Sequence, residues 1–417
     1  MKFIVLLLIA FITSATALSQ KLQIDPLLKQ KIKTSIQQAS QNIVYGILDK
    51  QGKAKGDYNI FTGTWEEYEP AWHTGQAINA LLDAYSITKN PLLLNTAIKS
   101  GNWWISLEIK NPLVLKGYLK AIHGAEIGNY INTTTIGDGT AGLFKLSKVT
   151  GNKKYAATAT HSGDWMIKNL YLEKEALFYN LVDPISGKIL KDSSPHAEHY
   201  SDSLIELTEV ARPNVEGFPF KDMYVFTGKK IYKNVFLNLC NGLLRYQSEN
   251  GLWMSFEPND KNTGRIHPRF NVWNAEALIE AYYLTKEKKY LDAAVKCMRY
   301  MQKLQQKNGI IYYTNYTNGQ FDDKSVCGSA VSFCGIVWLS LVQLGYSEFE
   351  ENVEKSLHWV LLTQIPATHP DKNIAGAYFE TKYKMAKNGK TTLMARDIST
   401  EFGIRFLSAC YYYNHKN

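Results

Sequence analysis

The chain has few cysteines for its length, and their spacing forms no recognisable pair. Cys240, Cys297, Cys327, Cys334 and Cys410 are an odd number and include no C-x-x-C spacing. The first, second and last of these lie in apolar, helix-like stretches, which is typical of buried free thiols. This usage argues against a disulfide scaffold and against a thiolate zinc site.

Other features are missing as well. The sequence contains no Pro/Gly/Ser-rich linker, no low-complexity tract and no long run of charges. It has no Lys/Arg stripe or nucleic-acid-binding signature, and no Gly-rich nucleotide loop. We therefore expect a single domain, no nucleic-acid partner and no organic cofactor. Beyond the first residues, no apolar stretch is long enough to span a membrane.

The N-terminus predicts export. Lys2 is followed by an apolar run over residues 3–12 and then by small residues. A basic start, a short apolar stretch and an A-x-A-like exit are typical of a signal peptide. We expect residues 1–19 to be removed by cleavage near Ala17 or Ser19, which places the protein in the periplasm or outside the cell. Residues 20–417 then form one domain, a length sufficient for one large core.

The composition indicates an acidic glycan as the partner. The formal net charge is +9, and the chain has 26 tyrosines and 9 tryptophans. A basic secreted protein attracts polyanions through its summed field, and aromatic rings offer flat apolar faces for sugars. An acidic polysaccharide or oligosaccharide fits both properties. A generally lysine-rich surface is the simpler explanation of the charge.

One helix–turn–helix sequence pattern recurs along the chain. The clearest copies begin at Gly75, Gly139, Phe220 and Asn274. Each combines an apolar helix rich in small residues, a turn of the T-G-N or T-K-E type, and a second helix. Weaker copies begin near Cys327 and Asp397, and a helix over about residues 27–48 supplies the last outer partner. Such pairs bury their faces only against neighbours.

The first helix of each copy is apolar nearly all round, which suits a helix enclosed by a ring. The pattern therefore predicts an all-α fold, a closed (α/α)6 toroid with a possible seventh hairpin and almost no β-structure. An open solenoid is the alternative. The seventh helix would lie over residues 200–210.

The hairpin phrase, its T-G-x-x-x-Y turn and the DPISG segment at Asp183 resemble the six-hairpin carbohydrate-active superfamily. That group includes unsaturated glucuronyl hydrolases, toroid polyuronate lyases and sugar epimerases. The resemblance covers almost all of the chain after residue 19, but it is architectural. It implies a carbohydrate-active enzyme and does not determine the reaction.

In a closed ring, the loops that enter the inner helices meet at one mouth. The richest of these loops is GRIHPRFNVWNAEAL, with Arg265, His267, Arg269, Asn271 and Trp273. The arginines are suited to carboxylates, His267 and Asn271 to hydrogen bonding or proton sharing with a substrate carboxylate, and Trp273 to stacking.

Two further loops supply candidate substrate-binding residues. They are Trp72 and His73 in WEEYEPAWHTGQA, and His199, Tyr200, Arg212 and Asn214 in PHAEHYSD and ARPNVEG. Core packing is an equal alternative for the first pair. His196, His199 and Asp202 have a spacing that metals use, but a polar substrate loop is favoured and no metal is expected.

Two mechanisms would use these residues differently. A polyuronate lyase neutralises the substrate carboxylate so that a base can remove the C5 proton. The resemblance to toroid lyases implies His267 and Asn271 as neutralisers, with Arg269 beside them, and Tyr316 as the base. Tyr313 and Tyr200 are chemically equivalent candidates for that base.

A hydrolase instead needs a carboxylic acid and a second carboxylate. Asp138, in TIGDGTAG, resembles the catalytic aspartate of glucuronyl hydrolases in its position, with Glu69, Asp222 or Asp397 as partner. RFNVW is similar to the R-x-Q-x-W turn of those enzymes, with Asn271 in place of Gln, and their aspartate-rich lead is reduced to IGDG.

These departures, together with export and positive charge, favour a secreted lyase that cleaves an alginate- or glucuronan-like polymer by β-elimination. A glycoside hydrolase of the glucuronyl hydrolase type is the first alternative. A sugar epimerase and a non-catalytic glycan-binding protein are the others.

Overall fold

The computed structural model describes residues 22–124, 128–192, 206–385 and 391–413. The α-helices in these ranges are α1 (Pro26–Gln41), α2 (Pro70–Thr88), α3 (Pro91–Ser106), α4 (Thr133–Thr150), α5 (Lys154–Asn169), α6 (Leu207–Val210), α7 (Pro219–Thr227), α8 (Lys230–Tyr246), α9 (Pro268–Thr285), α10 (Lys288–Leu304), α11 (Gly328–Gln343), α12 (Glu350–Leu362) and α13 (Ile398–Tyr412). A π-helix, Asn42–Ile47, continues α1, and short 3-10 helices cover Leu113–Leu115 and Ser347–Phe349.

The helices form six hairpins. Inner helices α2, α4, α7, α9 and α11 are each followed by an outer partner, and α1 packs as the outer partner of α13. The ring closes because α13 packs against α11 on one side and against α2 on the other. The predicted (α/α)6 toroid is confirmed. Of the possible seventh helix, only α6 lies within the described residues.

A threonine organises the turn of four hairpins. The inner helices end at Thr88, Thr150, Thr227 and Thr285. Each hydroxyl donates to the carbonyl four residues earlier and accepts the backbone N–H two residues later. The residue between has a positive φ, between 56° and 73°, and is Gly in two turns and Lys in two. The T-G-N and T-K-E phrases are therefore helix C-caps that start the outer helix.

Short strands cover much of the mouth. They are β1 (Asp57–Asn59), β2 (Thr64–Glu66), β3 (Ile122–Gly124), β4 (Gly128–Asn132), β5 (Tyr171–Leu172), β6 (Leu177–Tyr179), β7 (Leu181–Val182), β8 (Ala211–Arg212), β9 (Arg265–Ile266), β10 (Tyr312–Tyr316), β11 (Phe321–Val326), β12 (Thr381–Met385) and β13 (Thr391–Arg396). Seven of them form an antiparallel sheet in the order β2-β1-β13-β12-β11-β10-β9.

The expectation of almost no β-structure was therefore wrong. The strands are two to six residues long, and several lack the alternation of buried and exposed positions that marks a strand in a sequence. They form because loops from neighbouring hairpins run side by side at the mouth, where their backbone groups need hydrogen-bond partners.

The structure tests the expectations for the cysteines and for membrane spans, but not those for the N-terminus. All five cysteines are buried free thiols, which confirms the expectation for Cys240, Cys297 and Cys410. The expected signal peptide, residues 1–19, lies outside the described residues, as do His199 and Tyr200. Among the described helices, none combines the length and apolarity needed to cross a membrane.

The first two inner helices approach very closely through glycines. A Cβ atom on Gly75 would lie 2.5 Å from Cα of Gly139, and one on Gly142 would lie 2.5 Å from the carbonyl oxygen of Gly75. Both contacts are with backbone, which cannot rotate away. Glycine at these positions therefore sets the spacing of α2 and α4.

We expect Gly75→Ala to lower the free energy of unfolding by about 1–3 kcal/mol or more, the usual cost of overpacking a core. Alanine is a better helix former than glycine by about 1 kcal/mol. A loss of stability would therefore have to come from the clash between the added Cβ and the backbone of α4. Urea unfolding measures it, with Lys148→Ala on the exposed face of α4 as control. Equal stability of wild type and Gly75→Ala would contradict this packing.

Candidate active site

A cavity of about 660 Å³ opens at the mouth of the ring. Its walls come from the loops that precede α2, α4, α7 and α9, and from strands β9 to β13. Trp72 and Trp273 lie in its floor, with ring centroids 5.9 Å apart. Most of the other lining side chains are polar or charged. The size suits a small oligosaccharide rather than a single small ion.

Two carboxyl groups in this cavity have pKa values shifted in opposite directions. Burial raises the pKa of Asp138 to about 6, against a hydrogen bond from Nε1 of Trp72 and the charge of Arg405. Burial would also raise the pKa of Glu69, but the neighbouring His123 and His73 and a 2.9 Å hydrogen bond from the Thr135 hydroxyl lower it below its ordinary value. The site thus pairs a proton donor with an ionised carboxylate.

Glu69 occupies a strained position. It precedes Pro70 with φ of 40°, in the left-handed region that non-glycine residues rarely adopt. Its backbone N–H donates to the carbonyl of His123 at 2.9 Å, and its carbonyl accepts the N–H of His73 at 3.1 Å. These bonds fix the turn, so the carboxylate is aimed into the cavity at a conformational cost.

Glu216 is a third carboxyl group in the cavity wall. Burial raises its pKa to about 7, partly opposed by the charge of Arg212. Its neighbours Asn214 and Phe218 both have positive φ, so the loop before α7 is as irregular as the one before α2. The two loops resemble each other in placing a glutamate at the cavity beside the start of an inner helix.

Four cations surround a neutral histidine on the other side of the cavity. Burial lowers the pKa of His267 well below its ordinary value, and Arg269, Arg265, Arg212 and Lys382 lower it further. His267 caps α9: Nδ1 accepts the N–H of Phe270 at 3.3 Å, so the ring hydrogen belongs on Nε2. The arrangement attracts an anion while offering it a neutral N–H donor.

A buried network lies beside this group. The Tyr313 hydroxyl donates to Glu380 and accepts hydrogen bonds from Arg396 at 3.0 Å and from Arg269 at 3.5 Å. Arg396 also pairs with Asp57 at 2.9 Å. Burial raises the pKa of Tyr313 well above its ordinary value. A hydroxyl has one hydrogen and two lone pairs, so all three positions of Tyr313 are used.

A close contact between a buried histidine and a buried aspartate lies beneath the cavity. Nδ1 of His73 is 2.6 Å from Oδ1 of Asp397, both side chains are fully buried, and Asp57 is close by. Two ligands of one zinc ion, each at about 2.0–2.2 Å from the metal, would normally be roughly 3 Å apart. The shorter separation, and the guanidinium of Arg396 that already pairs with Asp57, do not fit a metal site.

The structure brings most of the predicted site residues together. Those that line the cavity are Trp72, Asp138, Arg212, Arg265, His267, Arg269, Trp273 and Tyr313. His73 lies below the floor. Asn214 is buried and accepts from the Thr134 hydroxyl at 2.7 Å.

Asn271 and Tyr316 lie away from the cavity wall. Asn271 is fully buried: its amide oxygen accepts the N–H of Trp253 at 3.0 Å, and its amide nitrogen donates to Asn259 and to the carbonyl of His267. It holds the loop before α9. Tyr316 ends β10 and pairs in register with Arg265. The residues of β10 that line the cavity are Tyr313 and Thr314, where the pairing with β11 is irregular.

Sequence reasoning did not identify His123, Lys382, Glu380 and Arg396. The first two lie on strands that it did not predict. Arg396 directly precedes Asp397, which was singled out, so a search for cations beside each candidate carboxylate would have found it. Glu380 has no comparable signal, because its partners Tyr313 and Arg269 are distant in sequence.

Comparison with known proteins identifies the fold. No family model and no curated protein sequence matches the chain. Solved structures do match. A cellobiose 2-epimerase from Bacillus thermoamylovorans B4167 has a TM-score of 0.66 at 12% identity, covering 90% of this chain and 99% of that one. An unsaturated glucuronyl hydrolase from Streptococcus agalactiae has a TM-score of 0.64 at 14% identity, covering 92% of each chain.

The chain has the (α/α)6 toroid fold of these enzymes. A type II terpene cyclase from Scytonema is also similar, with a TM-score of 0.54 at 11% identity over 92% of this chain and 98% of that one. The toroid therefore hosts different chemistries, and a function for this chain has to be argued from its own cavity.

The raised pKa of Asp138 predicts a pH-dependent cost to stability. Since the folded protein holds this proton up to about pH 6 and an unfolded aspartate releases it near 3.8, stability falls as pH rises between these values. We expect Asp138→Asn to stabilise the protein at pH 8 by on the order of 1–3 kcal/mol, with a much smaller difference at pH 4.

Urea unfolding at both pH values measures this difference. The control is Asp183→Asn, because hydrogen bonds from Ser186 lower the pKa of the exposed Asp183. At neutral pH, Asp183→Asn should therefore destabilise the protein, whereas Asp138→Asn should stabilise it. A destabilised Asp138→Asn protein at pH 8 would contradict the raised pKa.

Proposed function

We propose that this protein is a carbohydrate-active enzyme that hydrolyses glycosidic bonds in uronate-containing oligosaccharides. The observation that carries the proposal is the pair of cavity carboxyls with opposite pKa shifts, Asp138 and Glu69. Two carboxyl groups whose environments push their pKa values apart are the usual basis of acid and base roles in glycoside hydrolysis.

The cavity's chemistry supports a sugar substrate. The long hydrocarbon chain of the geranylgeranyl dihydroxybenzoate bound by the terpene cyclase would need apolar walls. This cavity instead presents many polar side chains around two tryptophan rings. Hydroxyl groups would find hydrogen-bond partners there, and the flat faces of a sugar ring would pack on Trp72 or Trp273. The glucuronyl hydrolase neighbour acts on a sugar of the same class.

The cations around His267 support an acidic sugar. Arg212, Arg265 and Lys382 line the cavity beside this neutral ring. A guanidinium group binds a carboxylate through two parallel hydrogen bonds. A uronate carboxylate bound here would face these cations, an attraction that a neutral sugar would lack.

In the proposed reaction, Asp138 donates its proton to the oxygen of the departing sugar. Glu69 accepts a proton from water, whose oxygen forms the new bond to the sugar, so that one water is consumed for each bond broken. The Thr135 hydroxyl and His123 orient the Glu69 carboxylate. Trp72 holds the Asp138 carboxyl through its indole N–H.

β-Elimination is the second candidate, and it was favoured on the sequence. Its support is the grouping of His267, Arg269 and Tyr313 at the cavity, with Tyr313 replacing Tyr316 as the available base. The full hydrogen bonding of the Tyr313 hydroxyl weighs against it, since a base needs a free lone pair to receive the C5 proton.

One comparison separates the two reactions. We expect Asp138→Asn to lower kcat about 10²–10⁴-fold on an active uronate oligosaccharide, with Glu69→Gln similarly impaired. Tyr313→Phe should retain most of its turnover if it folds. The kcat/KM of the wild type should fall above about pH 6, where Asp138 loses its proton.

The reaction products distinguish hydrolysis from β-elimination independently of the variants. Hydrolysis yields new reducing ends without an ultraviolet-absorbing double bond, or removes that absorbance from a pre-cleaved unsaturated substrate. A rise in ultraviolet absorbance that Tyr313→Phe abolishes would replace hydrolysis by β-elimination. Binding without any turnover on a panel of uronate polymers would support a glycan-binding protein.

The carboxylate site makes a separate prediction. We expect Arg265→Gln to raise KM about tenfold or more for a uronate substrate, because a charge-assisted hydrogen bond is lost, and to leave KM unchanged for the methyl ester of that substrate. Binding of the uronate should also weaken as salt rises. Equal effects on acid and ester would contradict carboxylate recognition at this position.

A further inference from the structure

The face opposite the mouth has an unusual distribution of charge. Every inner helix starts at the mouth, so the hairpin turns lie at the other end of the ring. The turns after α4, α7 and α9 read TGNKK, TGKK and TKEKK. Their exposed lysines are Lys148, Lys153, Lys154, Lys229, Lys230, Lys286, Lys288 and Lys289. We call the surface that these three turns form the basic face.

These lysines are mostly uncompensated. Within the described residues, ion pairs on the basic face are limited to Lys289 with Glu287 at 2.6 Å and Lys288 with Asp292 at 3.9 Å. The turn between α11 and α12 has the opposite charge, with Glu348, Glu350 and Glu351. The three basic turns therefore contrast in charge with this acidic turn.

Helix stability does not explain the lysines. Lys154, Lys230 and Lys288 are the first residues of α5, α8 and α10. The N-terminal end of a helix carries a partial positive charge, so a cation there is unfavourable. Each of the three outer helices nevertheless begins with lysine, and its dipole adds to the positive potential of the face.

Apolar side chains project among the lysines. Val225 is 71% exposed and Ile231 52% exposed, on either side of the TGKK turn. Val149, Phe226 and Tyr283, near the ends of α4, α7 and α9, are also exposed. The inner helices α4 and α7 pack together, and Lys221 of α7 pairs with Glu280 of α9 at 2.8 Å, so the three turns are neighbours.

We propose that the basic face docks onto the surface of an anionic lipid bilayer. Lysines are attracted to acidic headgroups, and apolar side chains beside them enter the boundary between headgroups and acyl chains. The exposed Val225 and Ile231 favour a bilayer over a soluble polyanion, which would leave both in water. Docking in this way leaves the mouth pointing away from the membrane. The inference is independent of the proposed reaction.

Vesicle co-sedimentation of the full chain tests the proposal. We expect binding to vesicles of phosphatidylcholine mixed with phosphatidylglycerol, weakening as salt rises, and little binding to phosphatidylcholine alone. Lys229→Glu/Lys230→Glu should weaken binding at least about tenfold. The matched control is Lys50→Glu/Lys120→Glu, which makes the same charge change at exposed positions away from the three turns and should bind like the wild type.

A second variant tests whether the exposed apolar side chains of the basic face contribute to membrane binding. Val225→Ser/Ile231→Ser keeps every charge and should weaken binding several-fold, while circular dichroism confirms that it folds. No binding to mixed vesicles, equal binding to both vesicle types, or equal loss in the control variant would overturn the proposal. So would unchanged binding of Val225→Ser/Ile231→Ser, or lysine-dependent binding to a soluble polyuronate with none to vesicles.

Discussion

Desolvation of charged groups at the centre of the ring governs the properties of the site. The inner helices carry carboxyl groups into a region where water cannot solvate them, and the resulting penalty raises the pKa of several of these groups. Burial is the largest cause of the raised pKa of Asp138, which is about 6. It is also the largest cause of the raised pKa, about 7, of Glu216, Asp222 and Glu276. The lowered pKa of His267 has the same main cause. The same ring that excludes water therefore creates proton donors and neutral bases near physiological pH.

Only some of the buried groups have been compensated locally. Arg396 joins Asp57, Tyr313 and Glu380 into one network, so these charges can be buried without large loss. Asp138 and Glu216 are compensated only in part: Trp72 and Arg405 oppose the effect of burial on Asp138, and Arg212 opposes it on Glu216. Partly compensated buried carboxyls are a cost to folding that is commonly found where chemistry occurs. The contrast separates the supporting network from the groups that are free to exchange protons.

The helices could be predicted from the sequence because their signals are local. The apolar period, the small residues and the threonine turns each lie within one hairpin, so the six repeats and the place of His267 and Arg269 at the mouth could be predicted. Asp138 was singled out by its resemblance to the catalytic aspartate of glucuronyl hydrolases. The mouth strands could not be predicted in the same way. They are short, and their partners come from different hairpins.

The same limit affects individual site residues. Asn271 is a residue type that could bind substrate, but its amide oxygen instead accepts the backbone N–H of Trp253. No local sequence pattern indicates this contact. The choice between Tyr313 and Tyr316 depends on strand register, which a sequence does not fix without knowledge of the strand. Glu380 was missed because its partners Arg269 and Tyr313 belong to other hairpins and meet it only in the folded ring.

Closure of the ring between α13 and α2 has a consequence for biosynthesis. The two helices are separated by almost the entire fold, so a growing chain can complete the ring only after the hairpins between them have been made. Hairpins can form one after another as they emerge, but until α13 is available α2 has an unsatisfied apolar side. Newly made chains should thus pass through an open, crescent-shaped intermediate that needs protection from self-association.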